Sequence, residues 1–253
     1  MNGGWKYAAA SVIGTSHQKS PGGICQDSHA LAYLEEGAVF VGVVSDGAGS
    51  ASHAHLGSRK TCDVITRELT VAPPCKLFTQ ALACETLEAV RGALFEEADA
   101  QDLSLRDFAS TMLVAIVSLH EAAFWQIGDG AICFRTAESD KYTCMYWPEK
   151  GDYSNVTCFV TDMRAQDEMG FDVLRGEVLD VALFSDGIER LALDFAAGEA
   201  HTGFFNGLFP YMRSLPEGYS EELSVQIAGF LCSERVNKRT DDDKTLILAS
   251  RAI

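Results

Sequence analysis

The first third of the chain contains short apolar runs followed by longer periodic stretches. Strands are predicted for residues 7–13, 29–34 and 38–45, and the last run is almost continuously apolar, as in a strand buried on both faces. Hydrophobic residues then recur at helical spacing along residues 52–69 and 76–97, with two consecutive prolines between the two stretches. We therefore expect three strands and then two helices.

A second group of apolar runs predicts consecutive strands. They cover residues 111–119, 122–127, 131–135, 142–147 and 157–160. Turn signals at 120–121 and 129–130 indicate a meander. Residues 163–177 are polar and lack a clear period, so a loop or mobile flap is predicted there. The remaining predictions are a strand at 178–185, helical segments at 187–195 and 203–215, a helix at 220–235 and a strand at 245–250.

This order of elements predicts an α+β fold. Strands and helices occur in groups, whereas a doubly wound parallel sheet requires strict alternation. Two mainly antiparallel sheets packed together, with helix pairs on the outside, would bury both faces of the continuous apolar strands.

Composition narrows the classes of partner. Hydrophobic residues make up 47% of the chain and charged residues 22%, which is ordinary for a globular protein. The net charge of −16 argues against a nucleic acid or an anionic membrane as the main partner. No run of 18 apolar residues or signal-peptide pattern is present, and the eight cysteines show no Cys-x-x-Cys spacing, so we expect a cytoplasmic protein with free thiols.

Acidic residues stand repeatedly at the ends of predicted strands. Asp46, Asp129 and Asp186 each precede a glycine, Asp242 lies in an acidic run before the last strand, and Asp27 begins an early strand. A single Asp-Gly pair is commonly a hairpin turn. The residues after Asp46 and Asp186 do not resemble a returning strand, whereas those after Asp129 are suited to pair straight back.

Carboxylates gathered at one edge of a sheet sandwich are the ligands that a hard cation prefers. Mg²⁺ is bound by few carboxylates with several retained waters, and a backbone carbonyl such as that of Gly47 is a suitable further ligand. Two such ions activate a water for attack on a phosphoryl group without a covalent nucleophile. Bound cations would also offset the repulsion between an acidic protein and phosphate.

The motifs occur in a recognisable order. They are Ser16-His17, Cys25-Gln26-Asp27, Asp46-Gly47-Ala48-Gly49-Ser50, Gly57-Ser58, Ala109-Ser110-Thr111, Gly128-Asp129-Gly130, Ser185-Asp186-Gly187 and Asp242-Asp243-Lys244-Thr245-Leu246. This order resembles the type 2C (PPM-type) family of metal-dependent protein serine/threonine phosphatases, particularly its compact bacterial branch, over nearly the whole chain. The resemblance implies a four-layer αββα sandwich and a single domain over residues 1–253.

The resemblance also implies a site with two core ions, Mg²⁺ or Mn²⁺, and a third, weaker one. Asp46 would bridge the core ions, Gly47 would give its carbonyl oxygen, and Asp186 and Asp242 would complete the pair. Asp129 would join Asp186 at the third ion. The catalytic residues would then be Asp46, Asp186 and Asp242.

Two further positions would support the ions indirectly. Asp27 would hold metal-bound water. Gln26 replaces a glutamate found in many members of the family, which keeps a carbonyl oxygen but removes a charge, so its ligation would be weak or through water.

The chain lacks two groups known from animal members of the family. No arginine precedes Arg59, so the phosphate-binding arginine has no counterpart, and Lys19 and His17 are the nearest candidates for weak phosphate contacts. Ala48 stands where animal members have a histidine that can act as general acid. His53 and His55 lie close by, but at the start of a predicted helix they are more simply surface or cap residues.

The function expected from these observations is hydrolysis of phosphoserine and phosphothreonine in proteins by a monomeric enzyme. A phosphatase specialised for one protein partner, such as an anti-anti-sigma factor or a kinase substrate, and an enzyme for small phosphoesters are alternatives within the same class. A catalytically weak, metal-binding regulatory module is the alternative from another class. The complete set of core aspartates argues against that module.

Overall fold

The computed structural model describes residues 4–19, 23–35, 38–148 and 157–251. The strands in these residues are β1 (Trp5–Val12), β2 (Ser28–Leu34), β3 (Val39–Ser45), β4 (Met112–Val117), β5 (Glu121–Ile127), β6 (Ala131–Thr136), β7 (Thr143–Cys144), β8 (Gly170–Arg175), β9 (Val178–Phe184), β10 (Leu193–Asp194), β11 (Glu199–Ala200), β12 (Gly218–Tyr219) and β13 (Lys244–Arg251). The α-helices are α1 (Thr15–Gln18), α2 (Ala54–Val71), α3 (Gln80–Ala100), α4 (Ala165–Glu168), α5 (Glu189–Ala192), α6 (Thr202–Asn206), α7 (Phe209–Ser214), α8 (Glu221–Leu231) and α9 (Glu234–Asn237). Short 3₁₀ turns cover Pro74–Lys76, Leu105–Phe108 and Asp186–Ile188.

Two sheets form the centre of the fold. The first has the strand order β12-β1-β13-β9-β6-β7 and the second has the order β2-β3-β4-β5-β8. Neighbouring strands are antiparallel except for β1 and β12, which are parallel. The predicted pair of mainly antiparallel sheets is therefore confirmed.

The alternation of side chains along the central strands separates the layers. In β3, Val41 and Val43 pack with the hydrophobic residues of α2 and α3, while Phe40 and Val44 face the other sheet. In β9, Leu183 lies between the sheets, and its neighbours Ala182 and Phe184 pack beneath α5–α8. Because successive side chains of a strand point to opposite faces, strands apolar at every position are buried on both sides. The predicted αββα sandwich is confirmed.

The second group of strands is not a meander. β4 and β5 pair in one sheet, whereas β6 pairs with β9 and β7 in the other. The chain crosses between the sheets at Gly128-Asp129-Gly130, where both glycines have positive φ values of 93° and 90°. The prediction that the chain returns directly after Asp129 is therefore wrong, because this Asp-Gly pair serves a crossover that needs two glycines in the left-handed region.

The segment at 163–177 also differs from the predicted loop. It contains α4 and then β8, which pairs with β5 from Glu121↔Arg175 to Gln126↔Gly170. β8 is the outer strand of its sheet, so Asp172, Val173 and Arg175 remain exposed. This exposure explains why the segment lacks the apolar pattern of an inner strand.

Smaller differences concern the extents of elements. Residues 157–160 form no strand, and only two residues of the predicted strand at 142–147 are paired in β7. The predicted helix at 220–235 ends at Leu231, and α9 begins after Ser233, whose hydroxyl accepts a hydrogen bond from the Val236 amide.

All eight cysteines are free. Among the described residues, no helix combines the length and apolar character needed to cross a bilayer.

Candidate metal site

Three aspartates converge at one edge of the two sheets. Asp46 follows β3, Asp129 lies in the β5–β6 crossover, and Asp186 follows β9. One carboxylate oxygen from each lies within 4.8 Å of the other two. They line an open cleft of about 220 Å³, and Asp242, which precedes β13, lines the same cleft outside this group of three.

The backbone around Asp46 is held by the strand beside it. The Asp46 amide donates to Thr111 Oγ1 at 2.9 Å, and the Thr111 amide donates to the Asp46 carbonyl oxygen at 2.8 Å. The Ser45 hydroxyl donates to the Thr111 carbonyl oxygen at 2.6 Å. Gly47 is required by close packing, since a Cβ there would lie 2.8 Å from backbone atoms of Ala54. These contacts fix the path of the backbone at Asp46, where the chain leaves β3.

Asp186 is positioned by a close approach of two chain segments. It begins the short 3₁₀ turn after β9, and the next residue, Gly187, packs against the backbone of Asp243. A Cβ at Gly187 would overlap the Asp243 carbonyl oxygen. The glycine after Asp186 therefore serves this approach and not a hairpin.

Asp27 lies beneath the cluster and Gln26 at the wall of the cleft. Asp27 is 5% exposed, and its Oδ2 accepts a hydrogen bond from the Ser185 hydroxyl at 2.7 Å. The Ser185 hydroxyl oxygen also accepts from the Thr245 amide at 3.0 Å. Buried Asp27 Oδ1 and Gln26 Oε1 have no hydrogen-bond partner. Both oxygens are available to a bound water or ion.

The carboxylates of this cluster resist ionisation in the absence of a cation. Burial raises the pKa of Asp46 well above its usual range, and the charges of Asp27, Asp186 and Asp129 raise it further. Burial raises the pKa of Asp186 to about 7, with contributions from Asp129 and Asp242. Burial raises the pKa of Asp27 to about 6, although the hydrogen bond from Ser185 opposes this shift. A bound cation would favour the charged form of every one of these groups.

The donor set fits a divalent hard cation. Asp186 Oδ1 is buried without a hydrogen-bond partner, as expected of an atom that ligates an ion. The residues that line the cleft offer mainly oxygen ligands, namely the carboxylates, the Gly47 carbonyl and the Gln26 amide oxygen, and His17 alone among the described lining residues offers a nitrogen. Such ligands suit Mg²⁺ and Mn²⁺.

Comparison with known proteins identifies the family of this chain. A family model described as protein phosphatase 2C matches residues 13–231. The chain belongs to the protein phosphatase 2C family. This confirms the predicted family, and with it the prediction of a protein serine/threonine phosphatase over that of a catalytically weak regulatory module.

One sequence relative agrees with this assignment, and two solved structures share the fold. Serine/threonine-protein phosphatase 3 of Escherichia coli (strain K12) is 34% identical over 252 residues, which cover 97% of this chain and 98% of the relative. The crystal structure of the serine/threonine phosphatase Stp1 from Staphylococcus aureus has a TM-score of 0.66 at 14% identity and covers 99% of this chain and 97% of its own. The catalytic domain of the phosphatase PstP, in complex with two manganese ions, has a TM-score of 0.63 at 13% identity, with coverages of 98% and 99%.

The candidate phosphate contacts of this phosphatase lie in different places. His17 lines the cleft, whereas Lys19 follows α1, is exposed and is not among the described residues that line the cleft. The structure therefore brings only His17 to the acidic cluster.

Sequence reasoning missed Asp243, which lies next to Asp242. Its side chain is 2% exposed, Oδ1 accepts from the Gly14 amide at 2.6 Å, and Oδ2 accepts from the Gln26 amide at 2.5 Å. The neighbouring Lys244 is buried, and its ammonium group donates to the Asp242 carbonyl oxygen at 3.0 Å. The available signal was the run of three aspartates, of which only Asp242 was selected.

Thr157 and Phe159 were also missed as residues of the cleft wall. The Thr157 hydroxyl donates to Asp129 Oδ2 at 2.9 Å. This loop is fixed from α3, since the Arg91 guanidinium donates to the carbonyl oxygens of Val160 and Asp162. The segment carries no sequence signal for this role, because its apolar residues resemble a short strand.

Proposed function

We propose that this phosphatase hydrolyses phosphoserine and phosphothreonine residues of proteins in the acidic cleft, with Mg²⁺ or Mn²⁺ bound there. The observation that carries the proposal is the convergence of Asp46, Asp129 and Asp186, whose carboxylate oxygens lie within 4.8 Å of one another. Burial and mutual repulsion raise the pKa values of Asp46 and Asp186, so the cluster has a strong need for positive charge.

The positions of the carboxylates support the ligand roles. Asp46, whose carboxylate lies with those of Asp129 and Asp186, would be the ligand shared by two core ions. The Gly47 carbonyl, Asp186 and Asp242 would complete the core pair. Asp129, whose Oδ2 also accepts from Thr157, would join Asp186 at a third ion.

The residues of the chain hold the ions, orient water and line the cleft. The bound ions supply a nucleophilic water and positive charge for the phosphoryl oxygens. Asp27 and Gln26 orient water through the oxygens that have no protein partner, and Ser185 holds the Asp27 carboxylate in place. Phe159 and Thr157 line one part of the cleft, and Thr157 holds the Asp129 carboxylate through its hydroxyl.

The substrate is a phosphorylated protein. The charge of the enzyme indicates which other partners it does not bind. The net charge of −16 disfavours binding to nucleic acid and to anionic membranes. We further propose that residues 1–253 act as a single domain, as a monomer and in the cytoplasm. The match of family and relative to almost the whole chain supports the single domain.

The test is turnover of a phosphothreonine peptide and of p-nitrophenyl phosphate by the purified protein with Mn²⁺, with Mg²⁺ and with EDTA. We expect metal-dependent release of phosphate that disappears in Asp186→Ala. Full activity of that variant would show that the site is wrongly assigned. Binding of Mn²⁺ without turnover of any phosphoester would contradict the proposed hydrolysis.

A further inference from the structure

His17 is in contact with a buried carboxylate at the cleft. Its Nδ1 lies 3.0 Å from Asp243 Oδ2, and the side chains of His17 and Asp243 are 24% and 2% exposed. The imidazole thus lies against a carboxylate inside the protein, without a hydrogen bond at Nδ1, and His17 lines the cleft.

The contact is built into the packing of two distant segments. Asp243 accepts hydrogen bonds from the Gly14 and Gln26 amides, so its carboxylate has a fixed orientation. The Ser16 amide and hydroxyl both donate to the Asp241 carbonyl oxygen, at 2.9 and 2.7 Å. The turn that carries His17 is therefore attached to residues 241–243 through Gly14 and Ser16.

His17 differs chemically from the other groups of the cleft. Among the described residues that line it, His17 alone has a side chain able to carry positive charge. The aspartates there are candidate metal ligands, and a carboxylate that binds an ion is ionised and has no proton to give. Lys19, the nearest lysine in sequence, is exposed and is not among the described residues that line the cleft.

We propose that His17, placed beside Asp243 at the cleft, is the general acid that protonates the leaving serine or threonine oxygen of the substrate. The inference rests on the proposed phosphatase function and adds a catalytic residue to it. A histidine whose Nδ1 lies beside a carboxylate can present a proton on Nε2. Positioned proton transfer of this kind accelerates reactions by roughly 10²–10⁴-fold.

The proton balance of the step is simple. The oxygen of a water molecule forms a bond to phosphorus and gives up a proton to solvent. The bond between phosphorus and the serine or threonine oxygen breaks, its electron pair stays on that oxygen, and the oxygen takes the proton from His17 Nε2. The neutral imidazole then regains a proton from solvent, and the products are phosphate and the free hydroxyl side chain.

The test compares two leaving groups in the same variants. p-Nitrophenolate departs as an anion without a proton, whereas a threonine oxygen needs one. We expect His17→Gln to lower kcat for a phosphothreonine peptide ~100-fold and kcat for p-nitrophenyl phosphate about threefold or less. Asp243→Asn, which keeps an acceptor but removes the charge beside the imidazole, should produce the same preference for p-nitrophenyl phosphate.

Controls separate this role from folding and from the metal site. His120→Gln, in an exposed turn, should leave both activities unchanged. Calorimetric titration with Mn²⁺ and thermal denaturation should give wild-type values for His17→Gln. Equal losses on the two substrates, or no loss on either, would overturn the general-acid role. Absence of turnover in the wild-type protein would instead overturn the proposed function itself.

Discussion

The Ser185 hydroxyl donates a hydrogen bond to Asp27 Oδ2 at 2.7 Å, which joins the start of one sheet's edge strand to the end of an inner strand in the other. Ser185 directly precedes Asp186, so the same turn supplies a candidate metal ligand and orients a buried carboxylate beneath it. The metal site is therefore connected to the packing of the two sheets.

This connection leads to a prediction for Asp27→Asn. Burial raises the pKa of Asp27 to about 6, so its ionised form is unfavourable in the metal-free protein at pH 8. We expect the amide to stabilise the metal-free protein by about 1 kcal/mol and to weaken Mn²⁺ binding roughly 10–100-fold. Urea denaturation in EDTA and calorimetric titration measure these effects. Asp140→Asn, at an exposed position, is the control and should change neither.

The raised pKa values also predict how the stability of the metal-free protein depends on pH. Burial raises the pKa of Asp27 to about 6 and the pKa of Asp186 to about 7 in the folded protein, above the ordinary value of 3.8. Between pH ~4 and pH ~7 the folded state holds more protons than the unfolded state, so its free energy of unfolding should fall as the pH rises. Thermal denaturation in EDTA from pH 4 to pH 8 tests this prediction. A stability that rises with pH between pH ~4 and pH ~7 would contradict it.

Added metal should reverse this trend. An ion that binds only the folded protein stabilises it by ~2.7 kcal/mol at a concentration 100-fold above its Kd. Because the ligands must be ionised, the increase in melting temperature on adding Mn²⁺ should be larger at pH 8 than at pH 5. Asp46→Asn and Asp186→Asn should each reduce this increase, and they should lower turnover by more than ~100-fold.

The sequence predicted the layers of the fold because burial leaves a local pattern. The continuous apolar run of β3 indicated a strand covered on both faces, and it lies between the α2–α3 pair and the other sheet. The path after Asp129 was not predictable in the same way. A Gly-Asp-Gly sequence suits a hairpin and a crossover equally, and the pairing of β6 with β9 depends on residues far away along the chain.

The residues of the candidate site were likewise predictable only where they leave a local pattern in the sequence. Asp46, Asp129 and Asp186 were found because a carboxylate at a strand end has a local signature. Asp243 was not found, because an acidic run ordinarily indicates a solvated surface. Its buried carboxylate accepts hydrogen bonds from the Gly14 and Gln26 amides, which lie 229 and 217 residues away in the sequence.

The close approach at Gly187 predicts a strong effect of one methyl group. In Gly187→Ala the new Cβ would overlap the Asp243 carbonyl oxygen, so the segments that carry Asp186 and Asp242 must separate. We expect a loss of more than ~2 kcal/mol of stability and loss of Mn²⁺ binding. Gly92→Ala, exposed in α3 with nothing near its Cβ, is the matched control and should stabilise the protein by roughly 0.5–1 kcal/mol. Equal midpoints of urea denaturation for the two variants would contradict this reading.

The position of Asp129 should depend on Gln126, which reaches across the crossover. Gln126 Nε2 donates to the carbonyl oxygens of Gly128 and Gly130, at 3.2 and 3.3 Å. Gln126→Met keeps the bulk but leaves these carbonyls without that donor, at a cost of roughly 1–3 kcal/mol. Its effect on Mn²⁺ binding should vanish in an Asp129→Asn background, whereas its cost in stability should persist, because metal binding is altered only through Asp129. A double-mutant cycle read by calorimetric titration and urea denaturation measures both terms, with exposed Gln226→Met as the control. Additive losses of Mn²⁺ affinity would show that Gln126 supports the site by another route.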